Sequence, residues 1–405
     1  MVIGGGPAGM MAAIRAAENS TDVTLIEKNP QVGKKLLLSG KGRCNLTNFC
    51  DLNSFLARFN HGDFLRDAFK KFFNQELMDF FEKRGLKLKV ERQQRVFPVT
   101  DRSDSILEVL KEELAKKQVK ILYKTGLKDI VIKDKEVRGV LTQVNQLIPA
   151  EKIILATGGV SYGFTGSTGE GLELARRLGH TIIALHPGLV PLETTKKYAG
   201  LAGLTLKNIR LNFSDGEKKI SSDVGEMLFT HTGISGPLVF TFSRTIALWL
   251  ANGRHVSVEI DLKPGLSAEQ LHARLLREFK LNKKKGIKNI LKSLIPLKLI
   301  NIFIEISGIP VTKQAAHLTQ AERNTLVSLL KLWRFDILRT RTIEEAMVTC
   351  GGVSLKEINP RTMESRLIRD LYFAGEMIDV DADTGGFNLQ AAFSTGYLAG
   401  ESACV

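Results

Sequence analysis

The feature that most constrains this chain is the spacing of three glycines at its start. Gly4, Gly6 and Gly9 follow a short apolar strand, Met1 to Ile3, and precede a helix-prone run from Met10 to Ala17. That order is the fingerprint of a dinucleotide-binding βαβ unit. Gly4 permits a tight turn, Gly6 lets a diphosphate approach the backbone, and Gly9 lets helix and strand pack closely, with Pro7 and Ala8 filling the spacer. The helix start turns its free N–H groups and positive dipole end toward the phosphates. A second strand, Val23 to Ile26, ends in Glu27, placed to accept hydrogen bonds from a ribose diol, with Lys28 next to it. With strand, helix and acidic residue in order, the turn reads as a dinucleotide site rather than as packing alone. The first strand is shorter than the usual length of about five or six residues.

A chain of 405 residues exceeds one ordinary core, so two or three domains are expected. No apolar run reaches the roughly 20 residues that span a bilayer. The nearest, Leu238 to Ala251, is broken by Arg244. A nucleotide fold that begins at residue 1 leaves no place for a leader, and a cytoplasmic protein without a membrane partner is expected. Cys44, Cys50, Cys350 and Cys404 form no C-x-x-C pair, which speaks against a structural zinc and a dithiol redox centre. The seven histidines show no metal-ligand spacing, so no metal site is assigned.

The net charge is +14, and half of it sits between Arg277 and Lys298, where eight basic residues face one acidic residue. Such a run could meet RNA, an anionic membrane or an acidic partner. No aromatic residue for base stacking is interleaved with its lysines. It is therefore read as a solvated helical face, and nucleic acid is not an expected partner.

Glycines and polar groups recur along the chain. From Gly33 to Asn48, Gly33, Gly40 and Gly42 open the backbone. Lys34, Lys35, Lys41 and Arg43 supply cations, and Ser39, Asn45, Thr47 and Asn48 supply neutral partners, around Cys44. This suits a bound diphosphate and the polar edge of a flavin, or equally a basic surface loop. Residues 54–85 read as helical, with a phenylalanine-rich core face, and Asp134 to Glu136 as a hairpin turn. The apolar strand Ile153 to Leu155 runs into Ala156, Thr157, Gly158 and Gly159, so the chain can pass beside a cofactor. Gly163, Gly166, Gly169 and Gly171 suit a second loop against a ligand.

Beyond Leu185 the alternation at Ile209, Leu211, Phe213 and at Val256, Val258, Ile260 marks an antiparallel β domain. Inside it, the glycine-punctuated stretch Leu228 to Pro237 carries His231, a candidate acid or base and otherwise a structural histidine. From Pro264 the pattern is helical, with capping boxes Ser267/Gln270 and Thr319/Glu322. The end returns to cofactor chemistry: a strand closing on Gly375 and Glu376, then Gly385, Gly386, Phe387, Asn388 and Leu389 opening an alanine-rich helix. In a flavoprotein that helix start can stabilise the charge of a reduced flavin. Asp379, Asp381 and Asp383 alternate ahead of it without the further ligand pattern of a metal site.

Six stretches together resemble one bacterial flavoprotein family, the BaiN-like NAD(P)/FAD-dependent oxidoreductases, which includes bile-acid-intermediate reductases and aminoacetone oxidases. They are Ser39 to Asn48, Arg95 to Pro98, Ala156 to Gly159, Phe229 to Pro237, Glu345 to Val353 and Gly385 to Gln390. The resemblance implies an α/β fold with a discontinuous Rossmann-like FAD-binding domain, interrupted by a β-barrel-like domain that contains a small helical insert. The boundaries expected are FAD domain 1–185, β domain 186–263, helical insert 264–331, β-domain return 332–350 and FAD domain 351–405. It implies FAD as cofactor, with Gly6, Gly9 and Glu27 at the ADP half. Gly42, Arg43, Asn45, Gly386, Asn388 and Leu389 then lie near the diphosphate, ribityl chain and flavin. Ala382 stands where the family pattern leads one to expect glycine. The reading is a flavin-dependent oxidoreductase exchanging hydride with a small organic substrate held between the FAD domain and the β domain. NAD(P)H would be a transient visitor, because the chain has one strand-linked fingerprint. An RNA-associated flavoprotein and a non-catalytic redox sensor are the alternatives; nothing in the sequence sets an oligomeric state.

Overall fold

The computed structural model describes residues 1–20 and 22–404. The chain divides into two units, Met1–Gly188 with Ile343–Val405, and Leu189–Thr342. The first is organised on a five-stranded parallel sheet in the order Leu371–Phe373, Ile153–Leu155, Val2–Ile3, Thr24–Ile26, Lys120–Leu122. The glycine turn therefore leaves the central strand, and every strand-end loop named above emerges on the carboxyl side of one sheet, where ligands of such folds bind.

The opening helix, Pro7–Ala16, has proline at its first turn and Gly6 as its N-cap, an arrangement that needs no N–H from residue 7. Its side Ala8–Ala12 lies against the closing helix, Phe387–Ser402, at backbone distance. A β-carbon on Gly396 would collide with the Ala8 carbonyl, and one on Gly400 with that of Ala12. Both residues are small because no side chain fits between these backbones. The hairpin Leu127–Lys133/Glu136–Thr142 turns at Asp134 and Lys135, both at positive φ as a two-residue type I′ turn requires.

The helical reading of residues 54–85 is corrected. The stretch breaks into Leu52–Leu56, Arg66–Lys71 and Asn74–Glu82. Gly62 passes so close to Leu56 that a β-carbon would strike its carbonyl, and Phe72 is extended, so a continuous helix is impossible. The phenylalanines still form one core: the Phe55 ring meets those of Phe69, Phe73 and Phe387 at 5.3, 5.0 and 4.7 Å.

In the second unit six strands close into a barrel in the order Thr205–Ser214, Gly225–Phe229, Gly233–Ser235, Leu192–Thr194, Trp333–Thr340, Val256–Asp261, and back to the first. Both capping boxes form, starting the helices Ala268–Leu281 and Gln320–Lys331. These helices share one apolar core with the barrel, where Phe303 packs on Trp333 at 5.2 Å. The helical insert is thus part of the barrel's core rather than a unit with its own. The chain re-enters the first unit at Ile343, where Val348–Val353 pairs with Ile182–Gly188.

The helix pair yields a direct test. Gly396→Ala should lower stability by about 1–3 kcal/mol through overpacking against Ala8. Gly265→Ala, where a β-carbon meets nothing within 4 Å, should be neutral or slightly stabilising. Urea melts of the two variants check this; equal midpoints would mean that the two helices yield without cost.

Candidate functional site

The site is built around the first turn. Gly4, at φ 105°, donates its N–H to the Ile26 carbonyl at 2.8 Å and passes the Ala156 carbonyl so closely that a β-carbon would sit 2.5 Å from it. Gly9 abuts the Gly4 carbonyl. Gly6 and Gly42 instead look into open space, with nothing within 4 Å of where a β-carbon would be. Glycine is thus required for packing at 4 and 9, whereas at 6 the fold itself leaves the space open.

Glu27 is buried and does more than the sequence reading gave it. Its Oε2 accepts from the Gly5 N–H at 2.8 Å, and its Oε1 accepts from the Asn29 backbone N–H and side-chain amide at 2.7 and 2.8 Å. A carboxylate has about four acceptor positions. Three are used by the chain, which leaves one, on Oε2, beside the Gly5 N–H. Asn29, missed in the sequence, also reaches the Thr165 carbonyl, and Lys34 donates to Asn29 at 2.9 Å. Lys28 donates to Thr168 at 2.7 Å and pairs with Glu170. Through these contacts the glycine-rich loop of residues 163–169 is drawn over the end of the second strand.

A second polar cluster gathers at the ends of the fourth and fifth chain segments of the sheet. Lys35 pairs with Glu376 at 2.5 Å and donates to Ser161 at 2.7 Å. Ser161 and the Thr349 N–H both donate to Glu376, at 3.1 and 2.8 Å. Thr349 fits against Gly159, and Thr157 against Gly171, each where a β-carbon would collide. Of the side chains in this cluster, Lys35, Thr157 and Glu376 are singled out by the sequence, whereas Ser161 and Thr349 carry no signal of residue type or spacing.

Several expected ligand residues have other work. Arg43 is held by Glu91 and Asp101, at 2.5 and 2.6 Å, and lies over the Phe97 ring. Cys44 is buried, and desolvation pushes its thiol up to about 12, so it is an inert core residue. Phe387 belongs to the phenylalanine core. Asn388 brackets Ala382, accepting from its N–H and donating to its carbonyl at 3.0 and 2.9 Å, and thereby fixes the loop before the closing helix. Ala382 is absent from the residues at positive φ, which explains how alanine serves there. Burial raises the Asp383 carboxyl above its usual range despite Arg58 at 3.6 Å, and Asp379 faces His61 at 3.6 Å. Gly375 faces Ala8 of the opening helix, and Gly386 presses on Thr47, both without room for a β-carbon; Gly158 sits at φ 73° and Leu389 is half-buried. His231 belongs to the other unit, exposed in the tight turn between Gly225–Phe229 and Gly233–Ser235.

FAD fits these residues. The open face of Gly6, the remaining acceptor on Glu27, and the Asn45 Oδ1, buried without a partner, are what a bound dinucleotide would meet. Among the described residues no helix is long and apolar enough to cross a membrane, and no three His, Cys, Asp or Glu side chains are grouped to hold a metal.

Comparison with known proteins agrees. The family described as "HI0933-like protein Rossmann domain" matches residues 1–402. The chain is 36% identical over 99% of its length, and 98% of the relative's, to a protein of Clostridium scindens named 3-dehydro-bile acid delta(4,6)-reductase. It is 32% identical, over 98% of its length and 96% of the relative's, to one of Haemophilus influenzae named ribosomal RNA dihydrouridine synthase. Among solved structures, a 3-ketosteroid delta1-dehydrogenase from Sterolibacterium denitrificans superposes with a TM-score of 0.55 at 12% identity, covering 100% of this chain and 98% of that one, which shows a shared fold.

Glu27→Ala should raise the FAD dissociation constant about 10- to 150-fold, the equivalent of about 1.5–3 kcal/mol for a lost buried acceptor. Lys28→Ala, whose partners lie at the exposed rim, should change it little. Fluorescence titration of the deflavinated protein with FAD measures both. Unchanged affinity in Glu27→Ala would remove Glu27 from the site.

Proposed function

The chain belongs to the HI0933-like family of FAD-binding oxidoreductases, and from that premise we propose that it reduces a carbon–carbon double bond conjugated to a carbonyl. The observation that carries the reading is the 36% identity, end to end, to a relative whose name specifies such a bond. The name of the Haemophilus relative implies the same chemistry on a different molecule, since dihydrouridine is uridine with the ring double bond beside a carbonyl saturated.

The bound flavin supplies the two-electron chemistry, a hydride delivered to the carbon β to the carbonyl. A proton must then reach the α carbon, and negative charge grows on the carbonyl oxygen on the way. The chain's own residues have separable duties. Gly6 and the start of the opening helix would hold the diphosphate, and Glu27 would fix the ribose. The start of the closing helix, whose N-cap is Gly386 and whose preceding loop is fixed by Asn388, would offer its positive end to the negative charge of a reduced flavin. For the proton carrier the chain offers one candidate by residue type alone, His231, an imidazole exposed on the turn after Gly225–Phe229.

A second reading is reduction of a uridine within RNA. It is supported by the name of the Haemophilus relative together with the net charge of +14.

Anaerobic stopped-flow on the FAD-loaded enzyme separates the half-reactions. A cyclic enone should reoxidise the dithionite-reduced flavin. NADH and NADPH should reduce the oxidised flavin with half-saturation at about 0.1 mM or above, since no second fingerprint forms a cradle for them. Flavin reduction by an aminoketone, with no reaction of the reduced flavin toward enones, would overturn the proposal in favour of an amine-type oxidase.

A further inference from the structure

The helices packed on the barrel carry a charge that neither folding nor flavin chemistry uses. Residues 264–331 contain twelve lysines and arginines against four glutamates, more than half of the chain's +14. Arg277, Lys280, Lys283, Lys284, Lys285, Lys288, Lys292 and Lys298 are all exposed. Among the described residues none of these eight has a carboxylate partner. By contrast, Lys313 and Lys331 of the same region are tied to Glu322 and Asp261 at 2.6 Å.

The cations are also fixed in place. Ala316 and Ala315 donate to the carbonyls of Lys283 and Lys285 at 3.2 and 3.0 Å, and Ile287 donates to that of Lys313 at 3.2 Å. The three lysines therefore stand on a strip stitched to the neighbouring segment. On either side, Leu271, Leu275 and Phe279, and then Ile287, Ile290 and Leu291, face the core. The inward positions are apolar, and all eight cations lie on the exposed side. Eight like charges within one short segment repel one another, and their mutual repulsion is relieved only by a polyanion or by salt.

We propose that this exposed basic side of residues 277–298 docks the phosphate backbone of double-helical RNA. The choice of RNA rests on the second reading of function above. The double helix follows from what the surface lacks. Single strands are gripped by aromatic stacking, and no aromatic side chain is exposed in this segment. An A-form duplex is held by its phosphates and shape, for which cations suffice. An anionic membrane would need an apolar face free to insert. Here the apolar stripes are buried, and only Leu281 and Leu297 stand out, singly.

The test uses the FAD-loaded enzyme, a labelled 20-base-pair RNA duplex containing uridine, and potassium chloride between 50 and 200 mM. Binding should weaken steeply with salt. Lys283→Gln/Lys284→Gln/Lys285→Gln should bind at least tenfold more weakly and flatten the log–log salt slope by about 2–3, close to one per lost phosphate contact. Flavin absorbance and melting temperature of the variant should be unchanged. An equally large triple change on the first unit, Lys111→Gln/Lys120→Gln/Lys124→Gln, should leave binding within twofold. The proposal is overturned if both triples lose binding alike, if the lysine-strip variant binds as the parent does, or if a single strand or phosphatidylserine vesicles bind more tightly than the duplex. Mass spectrometry of the RNA after turnover tests the underlying reading separately. Salt-sensitive, lysine-dependent binding with no saturated uridine keeps the docking surface and rejects RNA as substrate. Saturated uridine formed equally well by the variant does the opposite.

Discussion

The structure of the first unit depends on backbones that touch where side chains are missing. Gly4 lies on Ala156, Gly9 on Gly4, Gly396 on Ala8 and Gly400 on Ala12. Together these contacts clamp the opening helix between the sheet and the closing helix. The turn that begins the helix is then held from outside by Glu27, through the Gly5 N–H. A diphosphate needs N–H groups held in fixed positions, and these contacts fix the turn that would supply them. The carboxylate proposed for the ribose also shapes the turn proposed for the diphosphate, which would make the two halves of the ADP site one mechanical element.

The parts of this arrangement that obey a short-range rule were legible in the sequence. The glycine spacing, the strand ending in Glu27 and the two capping boxes each follow from conformational limits or hydrogen bonds acting over a few residues. The structure places each of them as those limits require. The parts that depend on chain crossings were not legible. Ser161 and Thr349 are neighbours only because Val348–Val353 pairs with Ile182–Gly188, and no local pattern announces that. The helical reading of residues 54–85 failed for a related reason: the phenylalanine pattern is real, but the face it makes is assembled from three short helices folded on one another. Arg43 shows the limit of reading chemistry from residue type, because its guanidinium meets Glu91 and Asp101, which are remote in sequence.

Function follows the same division. The cofactor is set by local geometry and by a family match across nearly the whole chain, and the hydride chemistry comes with it. The substrate has no such local signature in the chain, and its class is proposed from the names of two relatives.

The most direct measurement of the central claim is the identity and stoichiometry of the nucleotide that the purified protein carries. Acid release followed by chromatography, set against protein concentration, should give one FAD per chain and a flavin absorbance band on the intact protein. Recovery of FMN or NAD in place of FAD, or failure of the protein to take up FAD at all, would contradict the account of the glycine turn and of everything built on it.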